Sequence, residues 1–109
     1  MTQQIIQINF KFKGSVEEYK AGAESAAKKF AAVPGLLWKI WLMNEEKKEG
    51  GGIYLFANKE AVDNYRNSEL FKMISTNPGF ADFSIKQFDM LEVVGKMINA
   101  PVGEQLVVF

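Results

Sequence analysis

The chain has no cysteine and no histidine. Zinc sites, iron–sulfur clusters, thiolate nucleophiles, Ser-His-Asp triads and histidine-ligated haem each need one of those side chains, so all of them are excluded. Carboxylates alone can hold magnesium, but no Asp/Glu group has a suggestive spacing, and no metal site is expected. An excess of charge is also missing: thirteen basic and thirteen acidic residues cancel. That removes the usual electrostatic argument for nucleic acid or an anionic membrane as partner. The longest apolar run, Leu36 to Met43, is too short to span a bilayer and is interrupted by Lys39. Met1-Thr2-Gln3-Gln4 has neither the basic start nor the apolar stretch of a signal peptide, so a cytoplasmic location is the expectation.

What is present is core material. Of 109 residues, 48% are hydrophobic and 13% aromatic, enough for one layered domain over residues 1–109. Ile6, Ile8, Phe10 and Phe12 alternate with Gln7, Asn9 and Lys11, the period of a strand over Ile5 to Lys13. Ser15-Val16-Glu17-Glu18 is a capping box that opens a helix running to about Ala32. Tyr19, Ala23, Ala26, Ala27 and Phe30 form its inner stripe, and the alanines allow close approach to a sheet.

Pro34-Gly35 breaks that helix, and strand two spans Leu36 to Met43. Asn44 to Gly51 reads as a hairpin connection, with Gly50-Gly51-Gly52 as turn geometry, and strand three as Ile53 to Ala57. Asn58 caps a second helix from Lys59, which kinks or restarts near Asn67-Ser68. Asn77-Pro78-Gly79 is a turn, strand four spans about Asp82 to Met90, and Val93 to Ile98 is a short helical candidate before an apolar Leu106 to Phe109.

Two β-α-β units in sequence give an α+β, ferredoxin-like β-α-β-β-α-β sandwich with antiparallel strand order 4-1-3-2 and both helices on one face. The other face is not polar, as water would require. Strand two is apolar on both sides, strand three sets Ile53 and Leu55 against Tyr54 and Phe56, and strand four sets Phe83 and Ile85 against Phe88 and Met90. Leaving about six large side chains wet would forfeit on the order of 10 kcal/mol, comparable to the whole stability of a small domain. A second copy of the chain is the simplest cover, which makes a homodimer the expected assembly.

Pro34-Gly35-Leu36-Leu37-Trp38-Lys39-Ile40-Trp41, followed by Gly51-Gly52-Ile53-Tyr54-Leu55-Phe56, resembles the YdhR family of monooxygenase-type proteins in the dimeric α/β-barrel superfamily. The resemblance runs from the first strand to about Asn99. It implies a two-sheet barrel dimer, a pocket between helices and sheet, and cofactor-independent monooxygenation of a small aromatic or quinol-type compound by dioxygen. A non-catalytic ligand-binding dimer on the same fold is the alternative. Asn64-Tyr65-Arg66-Asn67-Ser68-Glu69-Leu70-Phe71-Lys72 is similar to the second helix of haem-degrading members of that superfamily. There the haem-ligating histidine falls at Ser75 and a Trp stands at Tyr65, so the resemblance implies neither haem nor another cofactor here.

Several residues are candidates on these grounds. Lys39 stands among apolar neighbours and either steadies an anionic substrate or reaches from an edge strand to water or a hairpin glutamate. Trp38 and Trp41, an odd number of residues apart, face opposite sides, and each is a pocket wall or plain packing. Tyr65 is a ligand donor or a core residue. Gln7, Asn9 and Lys11 line either a polar cavity or a wet dimer contact. Tyr65, Lys39 and Asn9 are the catalytic candidates. Trp38, Trp41, Gln7, Tyr54, Phe71 and Ser75 are the substrate-binding ones.

Overall fold

A computed structural model describes residues 2–103; the apolar tail Leu106 to Phe109 lies outside them. Strand β1 (Gln4–Phe12) follows the alternation, with Gln4, Ile6, Ile8, Phe10 and Phe12 buried and the residues between them half-buried. Gln4 is the polar exception, and its amide is satisfied: it donates to the Asp89 carboxylate at 2.7 Å and accepts from the Gln87 amide at 3.0 Å. Helix α1 (Val16–Ala31) begins at the expected capping box, in which the Ser15 hydroxyl accepts from Glu18 N–H and the Glu18 carboxylate from Ser15 N–H.

Strand β2 (Leu36–Asn44) follows the Pro34-Gly35 break and pairs with β3 (Glu49–Phe56). Helix α2 (Lys59–Arg66) is capped by Asn58, whose side chain accepts from Ala61 N–H at 2.8 Å. The helix does stop at Asn67-Ser68: the Ser68 hydroxyl donates to the Tyr65 carbonyl and accepts from Phe71 N–H, which starts α3 (Glu69–Ser75). Strand β4 (Phe80–Asp89) and helix α4 (Glu92–Met97) follow, the last elements among the described residues. The antiparallel order is β2-β3-β1-β4, the ferredoxin-like topology that the pattern predicts.

One boundary differs in a way that matters. The third strand starts at Glu49 rather than Ile53, so Gly50, Gly51 and Gly52 belong to β3 and not to the turn. They pair with Phe10, Asn9 and Ile8 of β1. Glycine carries no side chain and therefore no alternation, which is why the triplet reads as a turn in sequence. Its role is clearance. A Cβ on Gly51 would run into the Ile8 carbonyl oxygen, at a φ of +150° that other residues avoid. A Cβ on Gly50 would collide with the Tyr19 hydroxyl, and one on Gly52 would stand 2.7 Å from Lys39 Cε.

The sheet divides the molecule into two faces. Ile6, Ile8 and Phe10 of β1 join Tyr54 and Phe56 of β3 under Phe30 of α1 and Ala61, Val62 and Tyr65 of α2. The ladders put Gln7, Asn9, Ile53, Ile40 and Phe88 on the side away from the helices. There Ile40 and Phe88 remain half-exposed. α4 adds Leu91, Val93, Met97 and Ile98, each more than 70% exposed. The segment after α4 returns to this face: Trp38 Nε1 donates to the Pro101 carbonyl at 2.7 Å, and Gln3 exchanges two hydrogen bonds with Gly103.

Candidate functional site

The helices do not close completely on the sheet. A cavity of about 330 Å³ lies between α1, the helix-side face of the sheet and the turn before β4. Between Tyr19 and Phe30 its α1 wall is Gly22, Ala23 and Ala26, so small residues that suit close packing instead leave the space open. Phe10, Phe12 and Phe80 line the sheet side, and Ser15, Glu18 and Asn77 add polar groups. The volume is that of a small-ligand pocket with mostly apolar walls and few polar groups.

Lys39 is the cation of this cavity. It shares the helix-side face with Trp41, two residues on, and pairs across the ladder with Tyr54. The bare backbone of Gly52 lets its stem lie along the sheet. Its Nζ stands 3.4 Å from the Trp41 ring centroid, 3.6 Å from Phe30 and 4.6 Å from Tyr54. Among the described residues, neither a carboxylate nor a hydrogen-bond acceptor meets it; the one salt bridge there joins Lys96 to Glu92. Neither of the two surface readings of Lys39 describes this geometry. Loss of water pulls its pKa down to about 7. The three ring faces act in the opposite sense by attracting the cation.

Tyr19 is the polar fixture that sequence reasoning placed only on the helical stripe. Its hydroxyl donates to the Leu42 carbonyl at 3.0 Å and accepts from Gly51 N–H at 3.0 Å, tying α1 to β2 and β3 at the glycine triplet. Burial pushes its pKa up, with the Gly51 bond opposing. Its available signal was the pairing of a helical tyrosine with three glycines, which only the fold makes adjacent. Tyr54 also lines the cavity, and burial raises its pKa most, with the neighbouring Tyr65 adding to the shift.

The other candidates are placed elsewhere. Tyr65 is 2% exposed, packed among Phe30, Tyr54, Phe56 and Phe71, and does not line this cavity; it borders a second space, of about 570 Å³, with Asn64, Ser68 and Leu70. Its hydroxyl is buried without a partner in hydrogen-bonding geometry, although it lies near enough to Tyr54 for the two to perturb each other. Burial pushes the Tyr65 pKa up to about 12. Phe71 backs Tyr65 edge-on at 5.4 Å. Ser75 ends α3 with its hydroxyl on the Lys72 carbonyl. Gln7 and Asn9 bond to each other at 3.0 Å on the opposite face, which Trp38 shares. Lys39, Trp41 and Tyr54 are therefore brought together on this cavity, and the remaining six candidates do not line it.

The family model described as "Putative mono-oxygenase ydhR" matches residues 5–101. No curated protein sequence matches the chain. Among solved structures it is similar to SnoaB, a cofactor-independent oxygenase from Streptomyces nogalater, with a TM-score of 0.69 at 14% identity over 86% of this chain and 98% of that one. It is also similar to a monooxygenase from the ActVA-Orf6 gene of Streptomyces coelicolor bound to nanaomycin D, with a TM-score of 0.61 at 14% identity over 84% and 90%. A DABB-family protein with a ferredoxin-like fold from Mesorhizobium loti gives 0.67 at 18% identity over 84% and 99%. At these identities the solved structures establish the shared fold.

Replacing Lys39 tests the electrostatics directly. Unfolded, the lysine titrates near its ordinary 10.5, and in the fold near 7. Between those values the unfolded chain holds the extra proton, so stability rises with pH across that window. Below about 7 both states are protonated and the full cost of the buried charge is present. Lys39→Met should therefore be more stable than the parent by roughly 1–3 kcal/mol at about pH 6, with the gap closing toward pH 10. Urea denaturation at both pH values reads it; a gap that does not change with pH would contradict the assignment.

Proposed function

The chain belongs to the ydhR mono-oxygenase family, and from that premise we propose that it is a cofactor-independent monooxygenase for a small phenolic or quinol-type aromatic compound, working as a homodimer. The observation that carries the reading is Lys39: a cation with no anion beside it among the described residues, set among aromatic rings on the wall of a cavity sized for one or two rings. The likeness to a cofactor-independent oxygenase and to a monooxygenase that binds nanaomycin D supports the substrate class.

The chemistry asks little of the protein. A phenol held flat between Trp41 and Phe10 loses its proton to neutral Lys39, and the ammonium so formed stabilises the phenolate. The phenolate passes one electron to dioxygen, and the radical pair couples to a peroxide at a ring carbon bearing hydrogen. Cleavage of the O–O bond leaves one oxygen on that carbon as a carbonyl and releases the other as water. The ring hydrogen and the phenolic proton supply the two hydrogens of that water, so the sum is phenol plus dioxygen to quinone plus water. The apolar walls exclude bulk water from the radical pair. Tyr54, its pKa raised, stays protonated and can donate to a substrate oxygen.

Oxygen uptake with a panel of phenols and quinols tests this. Turnover should rise with pH through about 7, as Lys39 becomes the neutral base. Lys39→Met should lose about 100-fold or more in turnover while remaining folded. Ligand binding without uptake of oxygen across the panel would instead support a non-catalytic binding dimer.

The dimer reading rests on the sheet face away from α1, α2 and α3. Ile40, Phe88, Met97 and Ile98 cannot all remain in water without forfeiting several kcal/mol. A second copy that meets this face turns Gln7, Asn9 and Trp38 into contact residues rather than cavity residues. Sedimentation at micromolar concentration should return twice the 12.3 kDa chain mass. A stable monomer at that concentration would refute it.

A further inference from the structure

We infer that Lys39 is also a nucleophilic amine that captures small aromatic aldehydes and ketones as imines inside the cavity. The inference stands on geometry. Lys39 lines a cavity of about 330 Å³, room enough for a single-ring carbonyl compound beside it. No hydrogen-bond acceptor and no carboxylate among the described residues holds its N–H groups, so no ion pair has to be broken to release the proton and free the amine. Ring faces at 3.4, 3.6 and 4.6 Å fix its position and offer a stacking surface to an incoming aromatic group. A desolvated lysine in an apolar pocket is the standard route to an amine that is reactive near neutral pH. Burial supports this by lowering its basicity.

The other titratable groups on the cavity wall do not offset this. From α1 these are Glu18, whose carboxylate is engaged in the capping box, and Tyr19, whose hydroxyl is held by Leu42 and Gly51. From β3 it is Tyr54, whose raised pKa keeps it neutral.

The step is ordinary condensation. The Nζ lone pair bonds to the carbonyl carbon as the C=O π bond opens, and a nitrogen proton moves to the oxygen to give a carbinolamine. That hydroxyl leaves as water with the second nitrogen proton, and the C=N bond forms. The reaction needs no oxidant and no metal, and it is independent of the oxygenase reading: the two can fail separately, because one is read by oxygen uptake and the other by trapping under nitrogen.

The experiment uses the intact protein with benzaldehyde and sodium cyanoborohydride at pH 7. The reductant delivers hydride to the imine carbon, water supplies the proton to nitrogen, and a stable benzylamine results. Peptide mass spectrometry should place the first benzyl group on Lys39, at a rate at least tenfold above that of any other lysine, and excess phenol should slow it by occupying the cavity. Lys39→Arg, which keeps the charge and removes the nucleophile, should abolish the fast phase with the slow surface phase intact. Labels spread over surface lysines at similar rates, or a Lys39 slower than they are, would overturn the inference. Because the parent protein alone yields the site and the relative rates, the result does not depend on the variant folding.

Discussion

Lys39 is a half-buried ammonium with no counterion among the described residues, and the rings and glycines around it are arranged to accommodate it. An unpaired charge removed from water is normally driven neutral or expelled. Lys39 is instead retained on β2, under Trp41, Phe30 and Tyr54, at the side of an open cavity. Ring faces return part of the lost hydration, worth about 0.5–2 kcal/mol each when desolvated. The remainder is a deficit that an anionic ligand would remove. A stability-driven sequence would place Met or Leu there, so the lysine points to function.

The backbone makes that arrangement possible through three residues with no side chains. Gly52 clears the path of the Lys39 stem, Gly50 admits the Tyr19 hydroxyl, and Gly51 turns its N–H to that hydroxyl while lying close against β1. Tyr19 then fixes α1 at a set height above β2 and β3 through Gly51 and Leu42. Because Gly22, Ala23 and Ala26 present almost no side chain below the helix, the height that Tyr19 sets leaves a cavity. Glycines, tyrosine and alanines act together, with the lysine as the group they accommodate.

Most of the fold was readable from the residues because the relevant signals are local. The alternation Ile6, Ile8, Phe10, Phe12 fixes the faces of β1, Ser15 with Glu18 starts α1, Asn58 starts α2, and Ser68 restarts the helix as α3. The odd spacing of Trp38 and Trp41 correctly separates them onto two faces. The start of β3 was not readable, since a run of glycines has no periodicity to display. The site was legible only in part. Lys39 is conspicuous as a charge within an apolar strand, whereas Tyr19 and Tyr65 look alike, each on an inner helical stripe. Which of the two borders the space that Lys39 shares depends on how each helix sits over the sheet, a tertiary quantity that one-dimensional spacing does not encode. Asn9 and Gln7 were assigned to one face correctly, but strand pattern alone does not say which face the helices cover.

Lys39 is desolvated and, among the described residues, unpaired, and its own titration reports this. Selective labelling of the lysine Cε positions, with Lys39 assigned by substitution, gives its ionisation curve by NMR. The account predicts a midpoint near 7, moving upward when a phenol is added, because a bound phenolate favours the ammonium. A midpoint close to the ordinary 10.5, unchanged by any phenol, would mean that Lys39 remains hydrated and would contradict the cavity, the base and the nucleophile together.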